Sequence, residues 1–177
     1  LNNQVSFELA DYREINGEYD KIYSVGMFEH VGRKFYNKFF KSINKLLKKD
    51  GSFLLHTIGV VDKPSPPNKF INRYIFPGGI CPSLSQITKS IEKTGLIVSD
   101  TETLIRHYDK TLLSWLERFI SKKDLVKDLF DEKFVKMWSF YLASCAAAFR
   151  YRDLVVFQLQ IVKNFDSSHP TRDYIYS

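Results

Sequence analysis

The sequence predicts an α/β fold built around one sheet. Short apolar runs rich in β-branched and aromatic residues alternate with segments in which apolar residues recur every three or four positions. Hydrophobic residues make up 44% of the 177 residues, which is enough for one domain with a sizeable core. Chains that alternate strands and helices in this way typically form an α/β sheet.

The first part of the chain predicts two strands and a helix. Residues 5–9 alternate between apolar and polar side chains, and a turn at Asn16-Gly17 separates them from a second strand, Tyr19–Val25. Residues 33–49 predict a helix that Asp50-Gly51 ends. Its apolar face is the i+4 series Phe35, Phe39, Ile43 and Leu47.

The middle of the chain predicts a strand, a long connection and a helix. Residues 52–58 form the third predicted strand, and the proline-rich residues 60–82 are long enough to act as a lid or binding loop. Ser83 is expected to cap a helix that runs to Thr94 and stops at Gly95.

The last part of the chain predicts another strand, two helices and a final strand. Residues 96–98 begin the strand, and Asp109 or Thr111 opens a helix that ends at Ile120. Residues 131–150 predict a second helix, and residues 154–162 a nearly all-apolar strand. Residues 164–177 are expected to be a polar tail.

Composition narrows the function only partly. The net charge of +6 and the pI of about 9.2 favour contact with nucleic acid, anionic lipid or acidic ligands without choosing among them. The two cysteines, Cys81 and Cys145, make neither a disulfide framework nor a metal-binding CxxC pair, so a reducing compartment is expected. No apolar run approaches the roughly 18 residues that span a bilayer, and no secretory signal is evident.

Ionisable residues follow two of the predicted strands. The apolar run that ends at Val25 leads into Glu29 and His30, and the run that ends at Leu55 leads into His56. Ligands of open α/β sheets bind outside the carboxyl ends of the strands, so a carboxylate and an imidazole are expected at one crevice. From the residues alone, Glu29 is equally well read as a helix-start carboxylate and His56 as a hydrogen-bonded residue at a strand end.

Several motifs together resemble one family, the cyclopropane-fatty-acyl-phospholipid synthases with the related mycolic acid methyltransferases. The resemblance covers residues 5–162 and is carried by Asp11-Tyr12-Arg13, the runs 24–32, 54–59 and 74–79, His107-Tyr108-Asp109 with Thr111-Leu112, and Tyr141-Leu142 with Cys145-Ala146 and Phe149-Arg150. Residues 1–163 correspond to the C-terminal portion of the family's methyltransferase catalytic domain, followed by the tail 164–177. The chain starts at Leu1 and contains no GxGxxG, so we interpret it as a fragment.

The resemblance implies a class I S-adenosylmethionine-dependent methyltransferase fold, a Rossmann-like sheet whose N-terminal half with the Gly-rich loop is missing. It implies transfer of a methyl from the cofactor to the cis double bond of an unsaturated phospholipid acyl chain. A carbocation forms, a bicarbonate ion takes a proton, and the ring closes to a cyclopropane.

The resemblance also assigns candidate site residues. Glu29, His56, Tyr108 and the backbone of Ile58 match the positions that hold bicarbonate in the family. From the residues alone, Ile58 is an ordinary core residue and Tyr108 a partly buried tyrosine beside an aspartate cap. Cys145 matches a position sometimes described as an active-site cysteine, although a buried cysteine usually only packs and the proposed chemistry needs no thiolate.

The resemblance also assigns residues to the cofactor. Asp11, Tyr12 and Arg13 match positions that line the adenine end of the family's cofactor pocket, although the same residues also read as a simple strand-to-turn segment. His30 is expected to support Glu29 or to start a helix. No metal ligands are predicted.

Two features relate to the lipid. Phe70, Tyr74 and Phe76 are expected to wall an acyl-chain tunnel, where aromatic faces would stabilise a carbocation. The basic stripe on the helix 33–49 would attract an anionic phospholipid surface or would simply be a solvated face; its members are Lys34, Lys38, Lys41, Lys45 and Lys48.

We therefore predict a cytoplasmic methyltransferase of the cyclopropane synthase type, peripheral to the inner face of the membrane. S-adenosylmethionine and bicarbonate are the expected cofactors, unsaturated phospholipid acyl chains the substrate, and no nucleic acid is expected. The sequence leaves a homodimer open. Two alternatives remain: a methyltransferase on the same scaffold that acts on a small amine or another lipid, and a non-catalytic fragment.

Overall fold

A computed structural model describes residues 4–62, 65–66 and 68–176. Pro64 and Pro67 of the predicted proline-rich connection lie outside these residues. Within the described residues the strands are β1 (Tyr19–Val25), β2 (Leu47–Val60), β3 (Ile97–Leu104) and β4 (Leu154–Val162). The α-helices are α1 (Tyr36–Leu46), α2 (Lys69–Tyr74), α3 (Leu84–Ile91), α4 (His107–Ile120), α5 (Lys123–Leu129) and α6 (Glu132–Tyr151).

The four strands form one mixed sheet in the order β1-β2-β4-β3. Strand β1 runs parallel to β2, and β4 runs antiparallel to both β2 and β3. Because β1 and β2 are parallel, their carboxyl ends meet at one edge, where Val25 pairs with His56. The α/β prediction is confirmed.

Each face of the sheet carries its own helices. On one face, α1 and α3 pack on a core that includes Phe53, Leu55 and Leu159, all with no exposed surface. On the other face, α4 and α6 pack against Val156 of β4 and Ile58 of β2. Successive strand residues point to opposite faces, so His56 lies on the same face as Ile58.

The strand predicted at residues 5–9 is wrong. These residues pair with no strand in the described chain, and Phe7 is 96% exposed. Alternation of apolar and polar side chains specifies a strand only where a neighbouring strand and a core accept it. The outer edge of β1 has no partner strand among the described residues.

The helix predicted at residues 33–49 is shorter than its apolar series suggests. A 3₁₀ turn precedes α1, and the helix ends at Leu46 because Leu47 has extended dihedral angles (φ −83°, ψ 130°). Leu47 is fully buried and pairs with Tyr19, so β2 starts five residues before the predicted Ser52. Sheet pairing here overrides the helical pattern.

Three further elements differ from the prediction. The connection 60–82 contains the short helix α2, and α5 was not predicted. Helix α4 begins at His107, before Asp109 and Thr111, so Tyr108 lies in its first turn and not ahead of it. By contrast, β1 and β4 have the predicted bounds, and Ser83 caps α3 in a capping box.

The tail contacts the sheet. Arg172 forms an ion pair with Asp100 of β3, and the Tyr174 hydroxyl donates to Gln160 Oε1 at 2.8 Å. The Arg172 guanidinium lowers the pKa of Asp100. The tail therefore packs beside β3 and β4 through polar side chains.

Candidate active site

The candidate site begins where β1 and β2 end. After Val25 the chain turns at Gly26, whose φ of 64° favours glycine and whose N–H donates to the His56 carbonyl at 3.1 Å. A 3₁₀ turn over Phe28–His30 then carries Glu29 back over β2. Glu29 therefore lies beside residues 56–58 of β2, the stretch that carries His56.

Glu29 is held by the backbone of β2. Its side chain is buried, and Oε1 accepts a hydrogen bond from the Ile58 N–H at 2.6 Å. Its other oxygen, Oε2, is buried and has no hydrogen-bond partner in the described part of the chain. A buried acceptor without a donor is costly, so a ligand hydroxyl that reached Oε2 would satisfy it.

No hydrogen bond joins His56 to Glu29 among the described residues, and His56 has a different partner. Its Nδ1 lies 3.0 Å from Gln158 Oε1 on β4. The Ile58 N–H, predicted to face bicarbonate, is engaged by Glu29, so an ion at this position would share or replace that hydrogen bond.

Tyr108 and Cys145 reach the site from the helices on the same face. The Tyr108 ring packs against Phe149, with centroids 5.1 Å apart, and burial together with the charge of Glu29 raises the pKa of its phenol. Burial raises the pKa of Cys145 to about 11, so its thiol stays protonated at neutral pH. Tyr108 is therefore a protonated donor that faces the charge of Glu29, and the protonated thiol of Cys145 is not a nucleophile.

An ion pair fixes the helix that carries Tyr108. Arg150 Nε of α6 donates to Asp109 Oδ2 of α4 at 2.7 Å, and the guanidinium lowers the pKa of this buried carboxyl. Because Asp109 follows Tyr108 directly, the pair sets the position of Tyr108 relative to α6.

A separate cleft of about 460 Å³ lies beside the carboxyl end of β1. It is lined by Ala10, Asp11, Tyr12, Arg13, Met27, His30, Val31, Phe35 and Lys38. The three residues predicted to meet the cofactor are thus together, and the Tyr12 ring packs edge-on against Phe39 with centroids 5.6 Å apart.

The polar groups of this cleft are organised by one ion pair. The Arg13 side chain and its backbone N–H both hydrogen-bond Asp11, which lowers the pKa of that carboxyl to about 2. Aromatic and aliphatic walls beside a fixed carboxylate acceptor suit a purine with an exocyclic amine. The residues present therefore fit the adenosyl part of S-adenosylmethionine.

The other three histidines take no part in the described hydrogen bonds of Glu29 and His56. His30 is exposed, lines the cleft and meets the Phe76 ring edge-on at 5.8 Å. His107 Nδ1 lies 2.9 Å from the Ile105 carbonyl, and the His169 ring packs on Tyr174.

The free Cys81 is mostly buried, and burial raises its pKa to about 12.

The predicted aromatic wall is partly assembled. Phe70 contacts both Tyr74 and Phe140, and Phe76 meets Tyr141 edge-on at 6.0 Å. Burial raises the pKa of Tyr141 to about 12, with further contributions from Cys145 and Tyr108. Tyr141 therefore joins the aromatic wall to the candidate site.

The basic stripe is shorter than predicted. Lys48 lies on β2 and pairs with Asp20 at 2.9 Å, which raises the pKa of the lysine. Lys38 lines the cleft that also contains Asp11, Tyr12 and Arg13. Lys41 and Lys45 remain exposed on α1.

Sequence reasoning missed Gln158 and Glu102, which connect to His56. The Gln158 Nε2 donates to Glu102 Oε2 at 2.8 Å. Two glutamines at alternate positions of the apolar strand β4, Gln158 and Gln160, were the available signal, since alternate residues share a sheet face.

The described residues contain neither a membrane-spanning helix nor a cluster of metal ligands. None of the helices in residues 4–62, 65–66 and 68–176 is long and apolar enough to cross a bilayer. The same residues contain no group of three or more histidine, cysteine, aspartate or glutamate side chains placed to hold a metal ion.

Comparison with known proteins shows which family this chain belongs to. The sequence profile described as mycolic acid cyclopropane synthetase matches residues 1–159. The chain belongs to the mycolic acid cyclopropane synthetase family. The predicted resemblance is thereby confirmed.

The relatives of this family member are lipid-modifying enzymes. Cyclopropane-fatty-acyl-phospholipid synthase of Escherichia coli (strain K12) is 43% identical over 155 residues, which cover 88% of this chain and 40% of the relative. Tuberculostearic acid methyltransferase UfaA1 of Mycobacterium tuberculosis is 35% identical over 169 residues, covering 92% of this chain and 40% of the relative. The chain thus spans about two fifths of the length of these curated relatives.

A solved structure confirms the class of fold. The cyclopropane synthase MmaA2 from Mycobacterium tuberculosis superposes with a TM-score of 0.81 at 28% identity, over 90% of this chain and 63% of that one. The fold is therefore that of the S-adenosylmethionine-dependent methyltransferases of the cyclopropane synthase type.

Proposed function

We propose that this member of the family acts as a cyclopropane-fatty-acyl-phospholipid synthase dependent on S-adenosylmethionine. It would transfer a methylene group to the cis double bond of unsaturated phospholipid acyl chains. The observation that carries the proposal is the buried Glu29, tied to the Ile58 N–H by one oxygen and left without a donor at the other.

Asp11, Tyr12 and Arg13 would hold the cofactor. The cleft that they line is walled by Met27 and fixed by the ion pair between Asp11 and Arg13. S-adenosylmethionine, when bound, supplies an electrophilic methyl group for the double bond. The cyclopropane synthase CmaA1, solved with SAH and CTAB, superposes at 32% identity with a TM-score of 0.80 over 87% of this chain and 59% of that one, which supports this cofactor.

Glu29, His56, Tyr108 and the Ile58 backbone would hold bicarbonate, which supplies the base that removes a proton before the ring closes. The residues present fit this ion. Glu29 Oε2 needs a donor, and the raised pKa of Tyr108 keeps its hydroxyl available to donate to an anionic oxygen. Cys145 adds a second protonated group near Tyr108 and requires no thiolate role.

The substrate would reach the site from a membrane surface. Phe70 packs on Tyr74, and Phe76 packs on Tyr141, whose phenol interacts with that of Tyr108; these rings would wall the acyl chain. Aromatic faces on such a path stabilise a cationic centre in the acyl chain. We propose a cytoplasmic protein that associates peripherally with anionic lipid, to which the exposed lysines of α1 contribute.

Two measurements test the function. Calorimetry with S-adenosylmethionine should show binding that Tyr12→Ala weakens, whereas Tyr151→Ala, at an exposed tyrosine that does not line the cleft, should leave it unchanged. The protein should be tested both as this chain and as any longer natural form of it. Absence of binding in both would contradict the cofactor assignment.

The second measurement is product analysis by mass spectrometry with vesicles of unsaturated phospholipid, with and without added bicarbonate. A ring product that depends on bicarbonate and is lost in Glu29→Gln is the expected result. A methylated amine or a branched methyl product would contradict the proposal and favour another methyltransferase of this scaffold.

A further inference from the structure

A row of polar side chains crosses three neighbouring strands on the face that carries His56. His56 of β2 is paired in register with Gln158 of β4, and Gln158 is paired with Glu102 of β3. The side chains follow the backbone pairing: His56 Nδ1 lies 3.0 Å from Gln158 Oε1, and Gln158 Nε2 lies 2.8 Å from Glu102 Oε2.

For an ionised Glu102 and a neutral His56, the chemistry of this row allows one arrangement of protons. An ionised carboxylate only accepts hydrogen bonds, so Glu102 requires the amide NH₂ of Gln158 on its side. The amide oxygen of Gln158 therefore faces His56, and an amide oxygen also only accepts. His56 Nδ1 must then carry a proton and donate it. A neutral imidazole protonated at Nδ1 has its lone pair on Nε2.

We propose that Gln158 and Glu102 are positioning residues that hold His56 in the Nδ1–H tautomer, so that Nε2 can accept a hydrogen bond from the ligand. The inference rests on the proposed function in one respect, namely that the ligand of His56 is bicarbonate. With Glu29 Oε2, the site then offers two acceptors, which match the two hydroxyl groups that bicarbonate carries after it has taken a proton.

The same strand offers a matched control. Gln160 lies two residues beyond Gln158 on the same face, but its Oε1 accepts from the Tyr174 hydroxyl and it contacts no histidine by hydrogen bond. Gln160→Met therefore removes an equivalent amide from the same strand without interrupting the row.

The test is long-range ¹H–¹⁵N NMR of protein labelled in its histidines, at about pH 8, where ordinary imidazoles are neutral. The His56 signals are identified by their loss in His56→Gln. We expect the Nδ1–H form in the natural chain and in Gln160→Met, and a shift towards Nε2–H in Gln158→Met. The natural chain in the Nε2–H form, or an unchanged tautomer in Gln158→Met, would overturn the inference.

Glu102→Leu keeps the test decisive if Gln158→Met fails to fold. Glu102 is exposed, so its replacement should leave the fold intact while freeing the Gln158 amide to turn. A mixture of tautomers is expected; a pure Nδ1–H signal in that variant would show that Glu102 does not orient the amide.

Turnover separates this inference from the proposed function. In active protein, Gln158→Met should lower kcat by about tenfold, the scale of supporting residues behind site ligands, with little change in the KM for S-adenosylmethionine. A changed tautomer with unchanged turnover would refute the positioning role. If the tautomer changes as expected but turnover does not depend on bicarbonate, bicarbonate is not the ligand of His56. The positioning of His56 by Gln158 and Glu102 would still hold.

Discussion

Replacing Glu29 should separate its structural contribution from its chemical one. Glu29→Gln keeps an oxygen that can accept from the Ile58 N–H, whereas Glu29→Leu removes the acceptor and leaves that partly buried N–H unpaired. Neither variant retains the carboxylate oxygen Oε2 that has no donor within the described residues. We therefore expect both variants to be inactive and only Glu29→Leu to be clearly destabilised.

The magnitude follows from the single contact. An unpaired buried donor costs about 1–3 kcal/mol. A domain of this size loses about 2–4 °C in Tm for each kcal/mol, so Glu29→Leu should lower Tm by about 2–12 °C. Glu29→Gln loses only the charge-assisted part of the same hydrogen bond, about 1 kcal/mol, and should stay within about 4 °C of the natural chain.

Thermal unfolding by circular dichroism at one pH and one protein concentration checks the stability, and product formation checks the chemistry. Glu92→Gln, at an exposed glutamate after α3, is the control and should change neither. A Glu29→Gln variant as unstable as Glu29→Leu would refute the argument from the Ile58 contact. A Glu29→Gln variant with full activity would refute the role of Oε2.

Three further predictions concern packing, pH and helix capping. Gly59→Ala should cost about 1–3 kcal/mol or more by denaturant unfolding, because an added Cβ would lie 2.3 Å from the Phe157 ring; an unchanged midpoint would contradict this. Arg150 lowers the pKa of Asp109, so their pair stabilises the fold above about pH 4 and loses this contribution as the pH falls through the lowered value. The Tm difference between the natural chain and Asp109→Asn should therefore shrink from pH 7 to pH 3, and a constant difference would argue against the pair. Ser83→Ala removes the capping box of α3 and should cost about 1 kcal/mol in the same unfolding assay, whereas Ser83→Asp should restore most of it.

Local patterns predicted the elements that tertiary contacts reinforce. The strand bounds at Tyr19–Val25 and Leu154–Val162 follow from apolar runs that are buried in the sheet, and Ser83 with Gln86 forms a local capping signal. The helix end at Leu46 could not be predicted in this way, because Leu47 continues the helical series of apolar residues. Leu47 instead pairs with Tyr19 of β1. The apolar alternation at residues 5–9 failed for the opposite reason, since no strand of the described chain pairs with it.

The candidate site was predictable as a set of residues and not as a set of contacts. Strand ends pointed to Glu29 and His56, and the family resemblance added Tyr108. Neither indicated that Glu29 binds the backbone of Ile58, which lies 29 positions away, or that His56 binds Gln158, which lies 102 positions away. Hydrogen bonds over such separations depend on sheet register, which the sequence pattern of one strand does not determine.

The helical segment that delivers Tyr108 and Cys145 leaves the sheet at the end of β3 and returns through β4, the strand that lies beside β3. Its entry and exit points are therefore adjacent, and its two long helices, α4 and α6, are tied to each other by Asp109 and Arg150. Glu29 and His56 belong instead to the loop and strand of the other half of the sheet. The segment between β3 and β4 is thus a natural unit for exchange between family members: the exchange would replace Tyr108, Tyr141 and Cys145 while leaving the cleft lined by Asp11, Tyr12 and Arg13 and the Glu29 carboxylate in place.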